Sequence, residues 1–110
     1  MKEELLKKKC VPCEGGAPPF SSKDAIERLL EFPGWQLSGK AIEREFNFKN
    51  FAEALNFINK VGIVAEQEDH HPDINFHDYK KVRISLSTHA ISGLSENDFI
   101  LAAKIEAIVS

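Results

Sequence analysis

Three histidines in the second half of the chain are the residues whose type and spacing best suit chemistry. His70 and His71 stand side by side before Pro72, and His89 follows later, with the remaining histidine, His77, between them. An imidazole has an unperturbed pKa of roughly 6.5, so it can donate or accept a proton near neutral pH. The cluster therefore indicates a site of proton transfer.

Carboxylates near these histidines could orient the rings or raise their basicity in general acid and base catalysis, which contributes roughly 10²–10⁴ in rate. The candidates are Glu66, Asp69 and Asp98. Asp98 has a second interpretation, because it follows Ser95 by three residues and S-E-N-D is the pattern of a helix capping box. For Asp98 taken alone, capping is the favoured role.

Two other interpretations of the histidines stay open. One is structural, with imidazoles hydrogen-bonded at a helix end, where a cation is favourable. The other is a metal site formed by His70 or His71 together with His89 and a carboxylate. Adjacent side chains of an extended segment point in opposite directions, so His70 and His71 are poorly placed to bind one ion together.

The composition is that of an ordinary globular protein with one domain. The chain has 110 residues, of which 43% are hydrophobic and 28% charged, and its net charge is −3. Apart from K-K-K at 7–9 there is no basic run, which disfavours nucleic-acid binding. No apolar run approaches the roughly 18 residues of a membrane span, and M-K-E-E at the start is unlike a secretory signal. We therefore expect a cytoplasmic protein without nucleic-acid or membrane partners.

Cys10 and Cys13 form a single C-V-P-C, a spacing that can supply half of a zinc site or a redox pair. No second pair completes a zinc site, and no strand-turn-helix pattern surrounds this one. We expect a reduced cysteine pair, with no metal, on an N-terminal arm over residues 1–20. The run G-G-A-P-P closes that arm, and a single domain covers residues 21–110.

Hydrophobic periodicity predicts three helices and four strands in the order α-β-β-α-β-β-α. Ser21 and Asn50 are placed to cap the first two helices. The second helix must end before Pro72, which puts the paired histidines where helix becomes strand. Alternation is clearest in residues 82–89 and puts His89 on the polar side of the fourth strand's end, unless a bulge or bend at Ser87 and Thr88 reverses it. The predicted fold is α+β with two layers, a four-stranded antiparallel sheet with the three helices packed on one face.

The last helix, starting at Ser95, is apolar nearly all round, with only Lys104 and Glu106 interrupting its second half. A domain of this size cannot be expected to cover such a helix on every side. We therefore expect the helix to form a subunit interface.

The sequence resembles the pterin-4a-carbinolamine dehydratases. The likeness is carried by E-Q-E-D-H-H-P-D-I, K-V-R-I-S-L-S-T-H and G-L-S-E-N-D, and continues upstream in C-V-P-C-E-G-G, P-G-W and F-K-N-F-A-E-A-L-N-F-I-N-K-V. The resemblance implies a lyase that removes water from 4a-hydroxytetrahydrobiopterin to give quinonoid dihydrobiopterin, recycling the cofactor of aromatic amino-acid hydroxylases. It also implies a pterin substrate, no metal or organic cofactor, and a homodimer or homotetramer joined through sheet edges and helices, with an aromatic amino-acid hydroxylase as a possible partner.

The resemblance also assigns roles to residues. His70 and His89 match imidazoles that transfer protons across the pocket, and His71 matches the histidine that lies against the substrate. Ser87 and Thr88 fall where backbone groups meet the pterin ring. The full set expected to bind or orient the substrate is Glu66, Asp69, Pro72, Ser87, Thr88 and Asp98.

Three departures from the animal pattern affect the expected substrate contacts. Ile74 stands in place of a tryptophan, Asn97 in place of an arginine, and Tyr79 falls one residue later. Two alternative functions also stay open. One is a non-catalytic dimerisation module that assists a transcription factor, and the other is a dehydratase-like protein for another pterin, such as one of molybdenum cofactor metabolism.

Overall fold

A computed structural model describes residues 2–10 and 19–109 of the chain. Its elements, in chain order, are α1 (Lys2–Lys7), α2 (Ser22–Leu29), β1 (Gln36–Ser38), β2 (Ala41–Asn47), α3 (Phe51–Glu68), β3 (Asp73–His77), β4 (Lys81–Leu86), a 3-10 turn (His89–Ile91) and α4 (Glu96–Val109).

The strands form one antiparallel sheet in the order β1-β2-β4-β3. In the central pair, Ile42 lies opposite Leu86 and Phe46 opposite Val82, and all four side chains are buried. Alternation therefore gives the sheet one apolar face, which packs against the helices. The predicted α+β class and its four-stranded antiparallel sheet are confirmed.

Side-chain caps start two of the helices where the sequence predicts them. The Ser21 hydroxyl accepts a hydrogen bond from the backbone N–H of Asp24 at 3.1 Å, and the Asn50 side chain accepts one from Glu53 at 2.8 Å. Each cap is worth about 1 kcal/mol. The long α3 ends as predicted before Pro72, with Asp69 closing it in the left-handed conformation at φ 53°. That reversal directs the following residues away from the helix axis.

The expectation that the chain could not cover its last helix is wrong. Eight of the fourteen residues of α4 are buried within the chain, since α1, α3 and the sheet pack around it. The sequence pattern did not predict α1, which lies inside the segment assigned to an arm and buries Leu5 in the core. The division into an arm (1–20) and a domain (21–110) stays a prediction, but part of that arm packs on α4.

A buried carboxylate ties the N-terminal segment to α3 and α4. Glu68 accepts a hydrogen bond from the backbone N–H of Cys10 at 2.8 Å, and its other oxygen lies 3.4 Å from the Lys104 ammonium. Burial alone would raise the pKa of Glu68, but the Cys10 N–H and Lys104 outweigh it and lower that pKa. The Cys10 thiol contacts the backbone oxygen of Asn97 at 3.6 Å. The segment before residue 11 is therefore held close to the end of α3.

Burial and the neighbouring Glu68 charge raise the pKa of the Cys10 thiol to about 12. A thiol that stays protonated is a poor nucleophile and a poor metal ligand. Cys13 lies outside the described residues. Within the ranges 2–10 and 19–109, no three histidine, cysteine or acidic side chains are grouped as metal ligands. In the same ranges, no helix has the length and apolar character needed to cross a membrane.

We predict that Cys10 is protected from alkylation by its raised pKa. In a Cys13→Ser background at pH 8, iodoacetamide should modify Cys10 about 10³-fold more slowly in the folded protein than in urea, since the thiolate fraction falls tenfold per pKa unit. Glu68→Gln should speed the folded-state reaction by removing a negative neighbour. Mass spectrometry over time measures both rates. Equal rates in folded and unfolded protein would contradict the assignment.

Candidate active site

The junction between α3 and β3, the segment after β4 and the first turn of α4 enclose one cleft. Its volume is about 380 Å³, in the range of small-molecule sites. Polar side chains and histidines make up most of its wall, which consists of Asp69, His70, His71, Pro72, Asp73, Ser87, Thr88, His89, Ala90 and Asn97. The structure thus brings the three predicted histidines to one cavity, although His89 comes from a different part of the chain.

His70 points inward to a fully buried carboxylate. Its Nε2 lies 2.7 Å from Oδ1 of Asp98, and the side chains are 12% and 0% exposed. An ionised carboxylate only accepts hydrogen bonds, so Nε2 of His70 carries the proton. In the neutral ring, Nδ1 is then the nitrogen left with a lone pair.

The second oxygen of Asp98 is also fully engaged. Oδ2 accepts the backbone N–H of Ser95 at 2.9 Å and the hydroxyl of Thr88 at 2.8 Å. The bond to Ser95 is one half of the predicted capping box. Capping and orientation of a histidine are therefore not alternatives for Asp98, because its two oxygens perform them separately.

His71 points the opposite way from His70, as expected for neighbours on an extended segment. Its Nε2 lies 2.5 Å from Oε2 of Glu66, and the side chains are 56% and 78% exposed. Glu66 does not line the cleft. Its contact with the site runs through His71.

His89, like His71, is exposed. It is exposed on the first position of the 3-10 turn, which closes with a hydrogen bond from Ser92 N–H to the His89 backbone oxygen at 3.1 Å. Over residues 2–10 and 19–109, no protein group is seen to hydrogen-bond to its ring. The ring is therefore available to a ligand.

The backbone of Thr88 is poorly placed for the predicted contact with a pterin ring. Its N–H donates to the Gly93 oxygen at 2.7 Å, and its own oxygen accepts from Gly93 at 3.3 Å and Ile91 at 3.2 Å. These bonds close the turn that carries His89. Ser87, which also lines the cleft, is then the residue of the predicted pair whose backbone can meet a ligand.

Three residues of the cleft wall were not among the predicted site residues, namely Asp73, Ala90 and Asn97. Asp73 directly follows Pro72 in H-H-P-D, so its proximity to the histidines was a usable signal. Asn97 precedes Asp98 on the first turn of α4, and it was singled out only as a departure from the animal pattern.

His77 lies away from the cleft, on β3. Its Nε2 is 2.6 Å from Glu45 on β2, and its Nδ1 is 3.1 Å from Asp78. The hydrogen bond from His77 lowers the pKa of the Glu45 carboxyl. This histidine therefore has a surface role and offers a control for substitutions in the cleft.

Comparisons with known proteins identify the family of the chain. The family model described as "Pterin 4 alpha carbinolamine dehydratase" matches residues 18–108. A protein of Halorhodospira halophila, provisionally named a pterin-4-alpha-carbinolamine dehydratase, is 51% identical over 94% of this chain and 96% of its own length.

Two solved structures extend the comparison. A transcriptional coactivator/pterin dehydratase from Brucella melitensis superposes with a TM-score of 0.78 at 35% identity, covering 84% of this chain and 99% of that one. A pterin dehydratase-like protein, identified as a RuBisCO assembly factor in the alpha-carboxysome, superposes at 0.58 with 25% identity, covering 69% and 87%. The chain belongs to the pterin 4 alpha carbinolamine dehydratase family.

Proposed function

We propose that the protein dehydrates 4a-hydroxytetrahydrobiopterin to quinonoid dihydrobiopterin by acid and base catalysis with histidines. The observation that carries the proposal is the presence of His70 and His89, from distant parts of the chain, on the wall of one cleft. The buried partner of His70 adds to it, since Asp98 favours the charged form of an imidazole.

The reaction needs two proton movements. The C4a–O bond breaks as the hydroxyl takes a proton and leaves as water, and a ring nitrogen of the pterin loses a proton to give the quinonoid product. Asp98 stabilises positive charge on His70, which suits His70 to take the nitrogen's proton at Nδ1. His89 then serves as the acid that protonates the leaving hydroxyl. No net proton is gained or lost.

The remaining cleft residues support binding and orientation. The Ser87 backbone and the Asp69 and Asp73 carboxylates can meet the flat donor and acceptor edge of a pterin. His71 lies on the rim, where Glu66 fixes its ring, and Pro72 holds the segment extended. This set needs no metal or organic cofactor. A cytoplasmic location and an aromatic amino-acid hydroxylase as partner stay predictions.

We also propose that the protein is a homo-oligomer, a dimer or a tetramer, but that α4 is not its contact surface. Three large apolar side chains of α3 are exposed, namely Phe51, Leu55 at 42% and Ile63 at 60%. Ile74 is exposed on β3, an edge strand of the sheet. A second copy could cover these residues and pair with the edge.

A non-catalytic binding role is the second candidate function. The Brucella relative is named a transcriptional coactivator as well as a pterin dehydratase, and the carboxysome relative is an assembly factor. The exposed apolar residues of α3 would serve such a role without the histidines. In the other alternative, the same cleft acts on a different pterin as substrate.

Loss of either cleft histidine should abolish most of the activity. His70→Ala and His89→Ala should each lower kcat by about 10²–10⁴, because each removes one positioned proton transfer. The measurement is stopped-flow dehydration of 4a-hydroxytetrahydrobiopterin supplied by a hydroxylase, corrected for the spontaneous reaction. His77→Ala is the matched control and should keep the wild-type rate. If the wild-type protein dehydrates the pterin no faster than the spontaneous reaction, the proposed enzymatic activity is refuted.

Assembly should depend on the exposed face of α3. Leu55→Glu and Ile63→Glu should each shift the protein to a smaller species in sedimentation velocity, because a carboxylate would be buried in the contact. Lys23→Glu puts the same side chain on an exposed position of α2, outside this face, and should leave the assembly intact. A monomeric wild type, or an unchanged oligomer in both apolar variants, would contradict this interface.

A further inference from the structure

A short chain of hydroxyl groups lies behind the Asp98–His70 pair. The buried Thr88 hydroxyl is 2.8 Å from Oδ2 of Asp98 and 2.7 Å from the Ser95 hydroxyl. The Ser95 oxygen in turn accepts the backbone N–H of Asn97 at 3.2 Å. These groups link the start of α4 to the carboxylate that holds His70.

The direction of each hydrogen bond follows from counting protons. A carboxylate cannot donate, so the Thr88 hydroxyl must give its one proton to Asp98. Because that proton is used, the Ser95 hydroxyl must donate to the Thr88 oxygen. Ser95 can still accept the Asn97 N–H through a lone pair. All the bonds therefore point the same way, toward Asp98.

We propose that Thr88 and Ser95 are positioning residues that set the basicity of His70 through Asp98. Hydrogen bonds in a row polarise one another, and donors on Oδ2 draw negative charge away from Oδ1. The charge left on Oδ1 decides how strongly the carboxylate favours protonated His70. This inference deepens the proposed function, on which its catalytic meaning rests.

The other titratable groups near the pair do not contact the Thr88 hydroxyl. Asp69, Asp73, His71 and His89 lie along the cleft wall with His70. Behind Asp98, Cys10 stays neutral because its pKa is raised, and Glu68 is paired with Lys104. The side-chain partners of the Thr88 hydroxyl are Ser95 and Asp98. A change of this hydroxyl therefore leaves the positions of those charges as they are.

The test is an NMR titration of the histidine rings without any substrate. Thr88→Val keeps the shape of the side chain but removes the hydroxyl, so Oδ1 of Asp98 becomes more negative. The pKa of His70 should rise by about half a unit, a roughly threefold change in its protonation equilibrium. Thr88→Ser keeps the hydroxyl and should keep the wild-type value. His71 and His89 should be unchanged in both variants.

An unchanged or lowered pKa of His70 in folded Thr88→Val protein would overturn the proposal. Should that variant not fold, Ser95→Ala decides, since loss of the donor to Thr88 should move His70 upward by a smaller amount, and no shift there overturns the proposal. Because the titration uses no pterin, it is independent of dehydratase activity. An inactive wild type would refute the proposed function, while the titration would still decide the role of Thr88.

In active protein, the same change should also move the pH profile. The limb of the kcat profile that reports His70 should shift to higher pH in Thr88→Val, whereas KM should change little. A fall in stability alone would lower the amount of active protein without moving the profile. A profile that stays at the wild-type pH in Thr88→Val would count against the proposal.

Discussion

The site depends on satisfying one buried charge. A carboxylate removed from water costs several kcal/mol unless hydrogen bonds and an opposite charge compensate it. Asp98 has no exposed surface, and its partners come from the α3–β3 junction, the segment after β4 and its own helix start. Meeting that requirement draws the three segments together, and the cleft lies between them. The same bonds that stabilise the fold thus place His70 and the turn that carries His89.

A second buried carboxylate holds the N-terminal segment against the helix that carries Asp98. Glu68 lies two residues before His70 and binds both Cys10 and Lys104. The N-terminal segment is thereby fixed across α4, the helix that carries Asp98. This arrangement explains why α4 is apolar nearly all round: α1, α3 and the sheet bury most of the helix within the chain.

Local signals in the sequence were sufficient for most of the architecture and for seven of the ten residues that line the cleft. Caps at Ser21 and Asn50 depend on neighbours in the chain and were predicted correctly. The alternation predicted over residues 82–89 belongs to a strand only as far as Leu86, because the chain then leaves the sheet and His89 begins a 3-10 turn. The histidines were identified by type and by the family motif. The short α1 was missed because K-E-E-L-L-K has too few apolar residues to show a period, and its stability comes from contact with α4.

Other features of the site depend on tertiary contacts and backbone conformation, which hydrophobic periodicity does not predict. The hydrogen bond between Thr88 and Asp98 joins residues ten positions apart across a turn, so no periodicity predicts it. The turn that takes His70 and His71 off the axis of α3 depends on the left-handed Asp69, a conformation that a non-glycine residue seldom indicates in a sequence.

The dehydration rate of Asp98→Asn tests the central claim most directly. The asparagine oxygen can still accept from Ser95 and Thr88, but its NH₂ would face His70 and force the proton onto Nδ1. We expect kcat to fall by about 10²-fold or more while the protein stays folded. A folded Asp98→Asn protein that dehydrates the pterin at the wild-type rate would contradict the role of the buried pair.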